Sequence, residues 1–182
     1  GDIRLGAYKW LVDPIRMTKA NVQLGLGLKL PTGDNKYTDK FFVNDSTNIL
    51  GPVDQSIQLG DGGLGFTTEL NAYYTISKNF SAYGNFYYLI NPREQNGTST
   101  TRGGVPSAAT VRYGSDVMSV PDQYMFRAGL NYNYKTLTLA AGIREECLPS
   151  RDLIGGNNGF RRPGYIISFE PGVTYGFKKF SA

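Results

Sequence analysis

The chain has 182 residues, of which 19 are basic and 15 acidic, so its formal net charge is +4. Histidine is absent from the sequence, which excludes the Ser-His-Asp triad, the Cys-His dyad and every His-based metal site. The basic residues do not form a Lys/Arg cluster of the kind that nucleic-acid binding needs. We therefore expect a protein that is not an enzyme and that has no cofactor, metal or nucleic-acid partner.

Seven segments of the chain have the pattern of long β-strands. The 23 glycines, 13 tyrosines and 10 phenylalanines favour an all-β class. In chain order, the predicted strands are residues 2–10, 21–30, 66–76, 80–90, 124–134, 137–146 and 165–177. Each is roughly 30–40 Å long at about 3.3 Å per residue, which is enough to span a bilayer when the strand is tilted.

Apolar and polar residues alternate within these segments. In residues 21–30 one face carries only Val and Leu, and the other carries Asn, Gln, Gly and Lys. A period of two separates the two faces of a strand. Among the charged side chains of the seven segments, only Lys9 and Glu145 have the apolar parity, and both are near strand ends. The pattern predicts that one face contacts lipid and that the other faces a polar lumen.

The charged residues with the polar parity are candidates for lining that lumen. They are Arg4, Lys29, Glu69, Arg127, Arg144, Glu146 and Glu170, with Asp2 at the start of the first segment. One interpretation is a charged lining that selects which solutes pass. The alternative is a network of salt bridges that fills and braces the interior, as in barrels of small strand number.

The connections between the segments alternate in length. Residues 11–20, 77–79 and 135–136 form short connections, whereas residues 31–65, 91–123 and 147–164 form long ones rich in Gly, Asn, Asp, Ser or Pro. In a meander this places all the long loops at one end, as in outer-membrane barrels. We therefore predict an antiparallel up-and-down transmembrane β-barrel that forms a single domain over residues 1–182 and lies in the bacterial outer membrane.

Aromatic residues are concentrated near the ends of the predicted strands. Those towards the short turns are Phe80, Tyr132, Tyr134, Tyr175 and Phe177, and those towards the long loops are Phe66, Tyr88, Tyr124 and Tyr165. The two groups are predicted to be the aromatic girdles of a barrel at the membrane interfaces. A soluble core rich in aromatic residues is the alternative.

Four features agree less well with a simple barrel. Tyr8 and Trp10 have the lumen parity, and Pro171 removes a hydrogen-bond donor inside the seventh strand, where a bulge or a weakened pairing is expected. Single-chain bacterial barrels usually have an even number of strands, and no signal peptide is visible. We expect a fragment whose missing strands come from a longer chain, a partner chain or another copy.

Three smaller motifs have plain structural interpretations. Residues 60–65 match G-x-G-x-x-G, but a β-type sequence follows, so we predict a loop leading into a strand rather than a nucleotide site. Glu145 and Glu146 point to opposite faces of a strand and share no site. One long loop carries aspartates that are either calcium ligands or, more simply, solvated carboxylates: Asp34, Asp39, Asp45, Asp54 and Asp61.

Three segments carry a family resemblance: residues 20–34 (ANVQLGLGLKLPTGD), 54–66 (DQSIQLGDGGLGF) and 85–97 (NFYYLINPREQNG). They resemble the outer-membrane transporter family labelled "meta-pathway of phenol degradation", a relative of the FadL-type hydrophobic-compound channels. The resemblance implies a barrel for the uptake of small apolar or aromatic compounds.

Three classes of function follow from these observations. A channel or transporter in the outer membrane, with membrane lipid and a small-molecule solute as its partners, agrees with strand length, loop asymmetry and charge parity. In a soluble lipocalin-like barrel, the apolar faces would instead point inward around a ligand. In a structural or adhesive surface protein, a long loop such as residues 91–123 would bind a partner.

Overall fold

The computed structural model describes residues 1–177, which are built almost entirely from β-strands. In chain order the elements are β1 (Ile3–Trp10), β2 (Ala20–Leu30), β3 (Thr38–Asn44), β4 (Thr47–Pro52), a 3-10 turn (Gln55–Ile57), β5 (Gly65–Thr75), β6 (Phe80–Ile90), β7 (Gln95–Ser99), α1 (Ala108–Arg112), β8 (Val117–Ser119), β9 (Gln123–Tyr134), β10 (Leu137–Leu148) and β11 (Gly164–Tyr175). Over this described part of the chain, neither helical segment has the length and apolar content that crossing a membrane requires.

The seven predicted strands form one antiparallel sheet in the order β1-β2-β5-β6-β9-β10-β11. Neighbours in the sheet are successive long strands of the chain, so the predicted all-β meander is confirmed. All the long connections leave from one end of the sheet and all the short turns from the other. Within residues 1–177, β1 and β11 are the two edges of the sheet and do not pair with each other, so the sheet is open.

Uninterrupted pairing gives the sheet one apolar and one polar face. Each pair of neighbouring long strands keeps a single register along its length. Leu5 lies opposite Leu28, which lies opposite Phe66, while Arg127 lies opposite Arg144. Residues directly opposite each other point to the same face. The alternation of each strand therefore adds up to two chemically distinct faces across all seven strands.

The prediction of a bulge or a weakened pairing at Pro171 is wrong. Residues 164–175 of β11 pair with β10 without a register shift, and Pro171 lies opposite Ala141. The amide of Gly176 donates to the carbonyl of Thr136 at 2.7 Å. Because hydrogen-bonded pairs alternate along an antiparallel ladder, the pair at Pro171 is not hydrogen-bonded. The nitrogen of Pro171 therefore points away from β10 to the free edge, where proline is tolerated.

The three long connections form a folded layer that contains short strands of its own. Residues 38–44 and 47–52 pair as a hairpin, and residues 95–99 pair with 117–119. The side chains of the hairpin are mostly exposed, so its sequence lacks the alternation that marks the long strands. Pairing with the partner strand, rather than burial of one face, stabilises these elements.

The buried hydrophobic side chains are concentrated at the end of the sheet where this layer lies. They are Val53, Leu89, Met118 and Val120, and they are accompanied by the buried polar residues Asn91, Asn96, Ser119 and Asp122. Asp122 accepts hydrogen bonds from the amides of Asn91 and Leu153, at 2.7 and 2.9 Å. These bonds tie the second and third long connections together. The core of the described chain is therefore at the loop end and not on the apolar face of the sheet.

Candidate functional site

The polar face of the sheet is concave. Arg4 on β1 donates from Nη1 to the hydroxyl of Tyr87 on β6 at 3.1 Å. Two strands, β2 and β5, lie between them. In a flat sheet, three strand spacings of about 4.8 Å would put these backbones roughly 14 Å apart. Side chains stand roughly perpendicular to a sheet, so this contact indicates that the sheet curves with its polar face inside.

A cavity against this face shows the same curvature. Its volume is about 610 Å³, and its wall includes Arg4 from β1, Tyr87 from β6, Glu146 from β10 and Ile166 from β11. We call it the sheet cavity. β1 and β11 are the two edges of the sheet, and in a flat sheet six spacings would separate them by roughly 29 Å. Because both edges line one cavity, the sheet curls around its polar side chains.

Four of the predicted lumen-lining residues form one charged cluster on β9, β10 and β11. Glu170 makes an ion pair with Nε of Arg127, and its Oε1 lies 3.2 Å from Nε of Arg144 without hydrogen-bond geometry. Arg144 also lies 3.6 Å from Glu146. Between 22% and 50% of each of these side chains is exposed. The cluster therefore braces three strands and still presents both signs of charge to the concave side.

Two further candidates, Arg4 and Glu69, are connected to tyrosines rather than to the charged cluster. The hydroxyl of Tyr8 donates to Oε1 of Glu69 at 3.0 Å, across the intervening β2. Glu69 lies directly opposite Tyr87, the hydrogen-bond partner of Arg4. This second polar cluster spans β1, β5 and β6 at the other side of the concave face.

Lys29 is on the polar face but does not join either cluster. Its side chain is only 1% exposed, and its ammonium contacts the carboxylates of Asp61 and Asp2, the latter at 3.9 Å. Asp2 also accepts a hydrogen bond from the amide of Gly33 at 2.9 Å. Lys29 therefore ties β2 to the first long connection. Its charge is buried in a structural ion pair.

On the concave face, tyrosine rings cover glycines of neighbouring strands. These tyrosine–glycine contacts were not predicted from the sequence. A Cβ on Gly25 would come within 2.6 Å of the ring of Tyr8, and a Cβ on Gly129 or Gly142 would overlap the hydroxyl of Tyr83. Arg127 lies 5.5 Å from the centroid of the Tyr83 ring. The sequence pattern that could have predicted these contacts is a glycine at a polar-face position of one strand and a tyrosine at a polar-face position of a nearby strand.

The parity that had placed Tyr8 and Trp10 on the polar face is confirmed. Tyr8 contacts Glu69 as described, and the ring of Trp10 packs edge-on against Tyr73 of β5, with the centroids 5.7 Å apart. Both bulky rings therefore fill space on the concave side of the sheet. The large ring of Tyr8 fits on the polar face because Gly25, directly opposite it on β2, has no side chain where the ring lies.

The structure bears on all three smaller motifs. Residues 60–64 form a loop that leads directly into β5, as predicted, and a strand rather than a helix follows. The interpretation of the aspartates as solvated carboxylates is wrong for Asp61 and Asp54, which pair with Lys29 and Arg162. Within residues 1–177, the His, Cys, Asp and Glu side chains form no group of three that could hold a metal ion. Glu145 and Glu146 lie on opposite faces of β10, as their adjacent positions require.

A second cavity lies within the folded layer of long connections. Its volume is about 630 Å³, and its wall combines apolar side chains such as Val53, Met118 and Phe160 with the arginines at positions 102, 161 and 162. We call it the loop cavity. Gln123, Leu148 and Arg162 line both this cavity and the sheet cavity. The two spaces therefore adjoin, and together they reach from the loop layer to the concave polar face.

The contacts between the long connections are polar as well as apolar. The side-chain amide of Gln55 donates to the carbonyl of Ser119 at 2.6 Å, and Nη2 of Arg162 donates to Asp54 at 2.9 Å. The backbone N–H of Ser56, its hydroxyl and the nearby Arg162 guanidinium hold the pKa of Asp54 below its usual value. At neutral pH Asp54 is therefore ionised and joins the first connection to the third.

Comparison with known proteins adds no identification. No family model matches the chain, and no curated protein matches its sequence significantly. The resemblance of residues 20–34, 54–66 and 85–97 to a transporter family therefore stays a prediction.

Proposed function

We propose that this chain is the greater part of a bacterial outer-membrane β-barrel that passes small solutes along its polar interior. The observation that carries the proposal is the uncovered apolar face of the sheet. Along it, Leu26 is 68% exposed, Phe169 70% and Val173 67%. An exposed apolar patch larger than a few hundred Å² marks a surface that contacts a partner or a membrane. A face that spans seven strands fits lipid.

Charge placement supports the same conclusion. Within the seven strands, the apolar face carries only Lys9 and Glu145, which lie near opposite ends of the strands. Near an interface a charged group reaches the lipid headgroups. Arg or Lys at mid-depth on a lipid-facing strand costs about 2–4 kcal/mol, a penalty that falls towards the interfaces. On a surface in contact with water, charged side chains carry no such penalty and would also be found in the middle of the strands.

Two aromatic bands on the apolar face match the height of a bilayer. Phe80 packs against Tyr132 at the short-turn end, with the centroids 4.8 Å apart, and Tyr88 stacks with Tyr124 at the loop end at 6.2 Å. Tyr124 and Tyr134 are ten residues apart on β9, about 34 Å along the strand. A tilt of 35–45° reduces this to roughly 24–28 Å, close to the apolar band of about 25 Å in such barrels.

The open edges of the sheet are where we propose that further strands pair. The ladder with β10 leaves the odd-numbered amides of β11 pointing outward, so Phe169 and Val173 offer free-edge donors. β1 likewise directs its even-numbered amides outward, since Leu11 donates to Val22 on β2. Long unpaired edges promote association with other strands, and none is tolerated within a hydrocarbon core. Closure by strands of a longer chain, a partner chain or another copy satisfies both edges.

The lipocalin-like alternative requires the opposite arrangement. A soluble ligand-binding barrel would place its apolar side chains on the concave side. Here the concave side carries Arg4, Glu69 and the cluster around Glu170. We therefore favour a polar interior of mixed charge, through which small compounds move. The transported compounds that the family resemblance suggests are apolar or aromatic.

The decisive experiment uses the full-length chain in a Gram-negative host. We expect it to fractionate with the outer membrane, to require detergent for extraction and to migrate faster unboiled than boiled on a gel. After purification, insertion into a planar bilayer should produce single-channel conductance steps. A monomer that is soluble without detergent would refute the barrel. Correct membrane insertion without conductance would refute the channel and leave a structural barrel.

A further inference from the structure

The loop cavity has the composition of a binding site for a small organic ligand. Its volume of about 630 Å³ is within the range of 300–1,000 Å³ that is usual for such sites. Val53 and Met118, both buried, and Phe160 provide apolar surface. Polar and charged side chains form the rest of the wall, among them Gln55, Gln123 and three arginines, and groups of this kind orient one end of a ligand.

The charges around this cavity do not balance. Both carboxylates in its wall are already paired, Asp54 with Arg162 and Asp61 with the buried Lys29. Arg102 lies over the ring of Phe41 at 4.4 Å, and within residues 1–177 it makes no ion pair. The wall therefore carries an uncompensated positive charge at Arg102.

Arg161 adds a fixed donor beside the same space. Its side chain is 7% exposed, and both terminal nitrogens bind Asp152, at 2.7 and 2.8 Å. This two-point contact holds the guanidinium in one orientation. Its Nε is buried and has no hydrogen-bond partner among the described residues. A buried donor without an acceptor is unfavourable, so a ligand oxygen placed beside this Nε would be stabilised.

We propose that the loop cavity binds an organic monoanion, with its apolar body against Met118 and Phe160 and its carboxylate towards Arg102 and Arg161. Arg162 is neutralised by Asp54, so its contribution to the potential depends on that pair. The site lies in the layer of long connections and adjoins the sheet cavity. The inference concerns binding and does not depend on transport through the proposed barrel.

The test is equilibrium binding to the folded full-length chain in detergent, with 2-naphthoate as the fluorescent probe and 2-naphthalenemethanol as its neutral counterpart. We expect naphthoate to bind about tenfold more tightly than the alcohol, because its carboxylate makes charge-assisted hydrogen bonds. Equal affinities, or no naphthoate binding, would overturn the proposal. Because conductance is not measured, failure here is distinguishable from failure of the channel function.

Variants that change the charge of the cavity wall in opposite directions test whether naphthoate binds there. Arg102→Gln should weaken naphthoate binding and leave alcohol binding unchanged, whereas Asp54→Asn should strengthen naphthoate binding because it removes a negative charge from the wall. Arg151→Gln is the matched control, since Arg151 is exposed and outside the wall. Should all three variants bind naphthoate like the wild type, the assignment to the loop cavity is wrong. Non-specific structural damage would weaken both ligands and would not produce changes of opposite sign.

Discussion

Arg127 and Arg144 lie directly opposite each other across β9 and β10, so two positive charges form a cross-strand pair on the polar face. Like charges in this position are destabilising. The carboxylate of Glu170 on the next strand contacts both guanidinium groups. The stability of this part of the sheet therefore depends on a residue from a third strand.

Glu170→Gln should destabilise the sheet and make its interior more anion-selective, because it leaves the two arginines uncompensated. We expect a loss of about 1 kcal/mol, since the cluster is partly exposed and screened by solvent. Urea unfolding in lipid vesicles measures the stability, and the reversal potential in a salt gradient measures the selectivity. Glu146→Gln is the control, because within residues 1–177 Glu146 makes an ion pair only with Arg144, at 3.6 Å. Equal effects from both variants would contradict a central role for Glu170.

Leu26→Arg should destabilise the membrane-inserted protein by about 2–4 kcal/mol, the cost of a lipid-facing arginine near mid-depth. Leu26 lies in the middle of β2 on the apolar face. Leu26→Ala separates loss of the side chain from the effect of charge. Asn131→Arg places the same charge on the polar face of β9 and should change stability little. If Leu26→Arg is harmless, the apolar face does not contact lipid.

Gly142→Ala should cost about 1–3 kcal/mol through overpacking, because its Cβ would overlap the hydroxyl of Tyr83. Gly84→Ala is the matched control within the same sheet. The nearest atom to its Cβ would be the carbonyl oxygen of Arg127, at 3.9 Å. Unfolding midpoints of the two variants in the same lipid measure the difference. Tyr83→Phe should restore stability to Gly142→Ala if the overlap with the hydroxyl is the cause.

The contact between Asp54 and Arg162 should loosen only in acid. Hydrogen bonds from Ser56, together with Arg162, lower the pKa of Asp54 below its ordinary 3.8. A carboxyl with a lowered folded-state pKa contributes stability above its unfolded pKa and loses it as the pH falls through the folded value. The difference in melting temperature between wild type and Asp54→Asn should therefore be constant near neutrality, begin to fall near pH 3.8 and vanish only below the folded-state pKa of Asp54. A difference that disappears already near neutral pH would contradict this assignment.

The alternation of residues such as 21–30 and 124–134 was sufficient to predict the seven long strands and their two faces. The strand order came from the assumption of a simple meander, which the sheet confirms. The two faces of each of these strands lie in different environments. Because side chains alternate between the two faces, apolar and polar residue types alternate along the sequence. The same rule located the charged candidates on the polar face. It failed for the hairpin at residues 38–52, whose side chains are mostly exposed on both faces and therefore leave no alternation.

The sequence by itself determined which side chains share a face, because parity along a strand depends only on local backbone geometry. Only the tertiary structure decided that Glu170 contacts both Arg127 and Arg144, that Lys29 is buried against Asp61, and that Arg102 and Arg161 share one cavity. These contacts join residues far apart in the chain, and they depend on strand register, on the curvature of the sheet and on the packing of three long connections. Such relationships are properties of the folded chain and have no signature in any single segment.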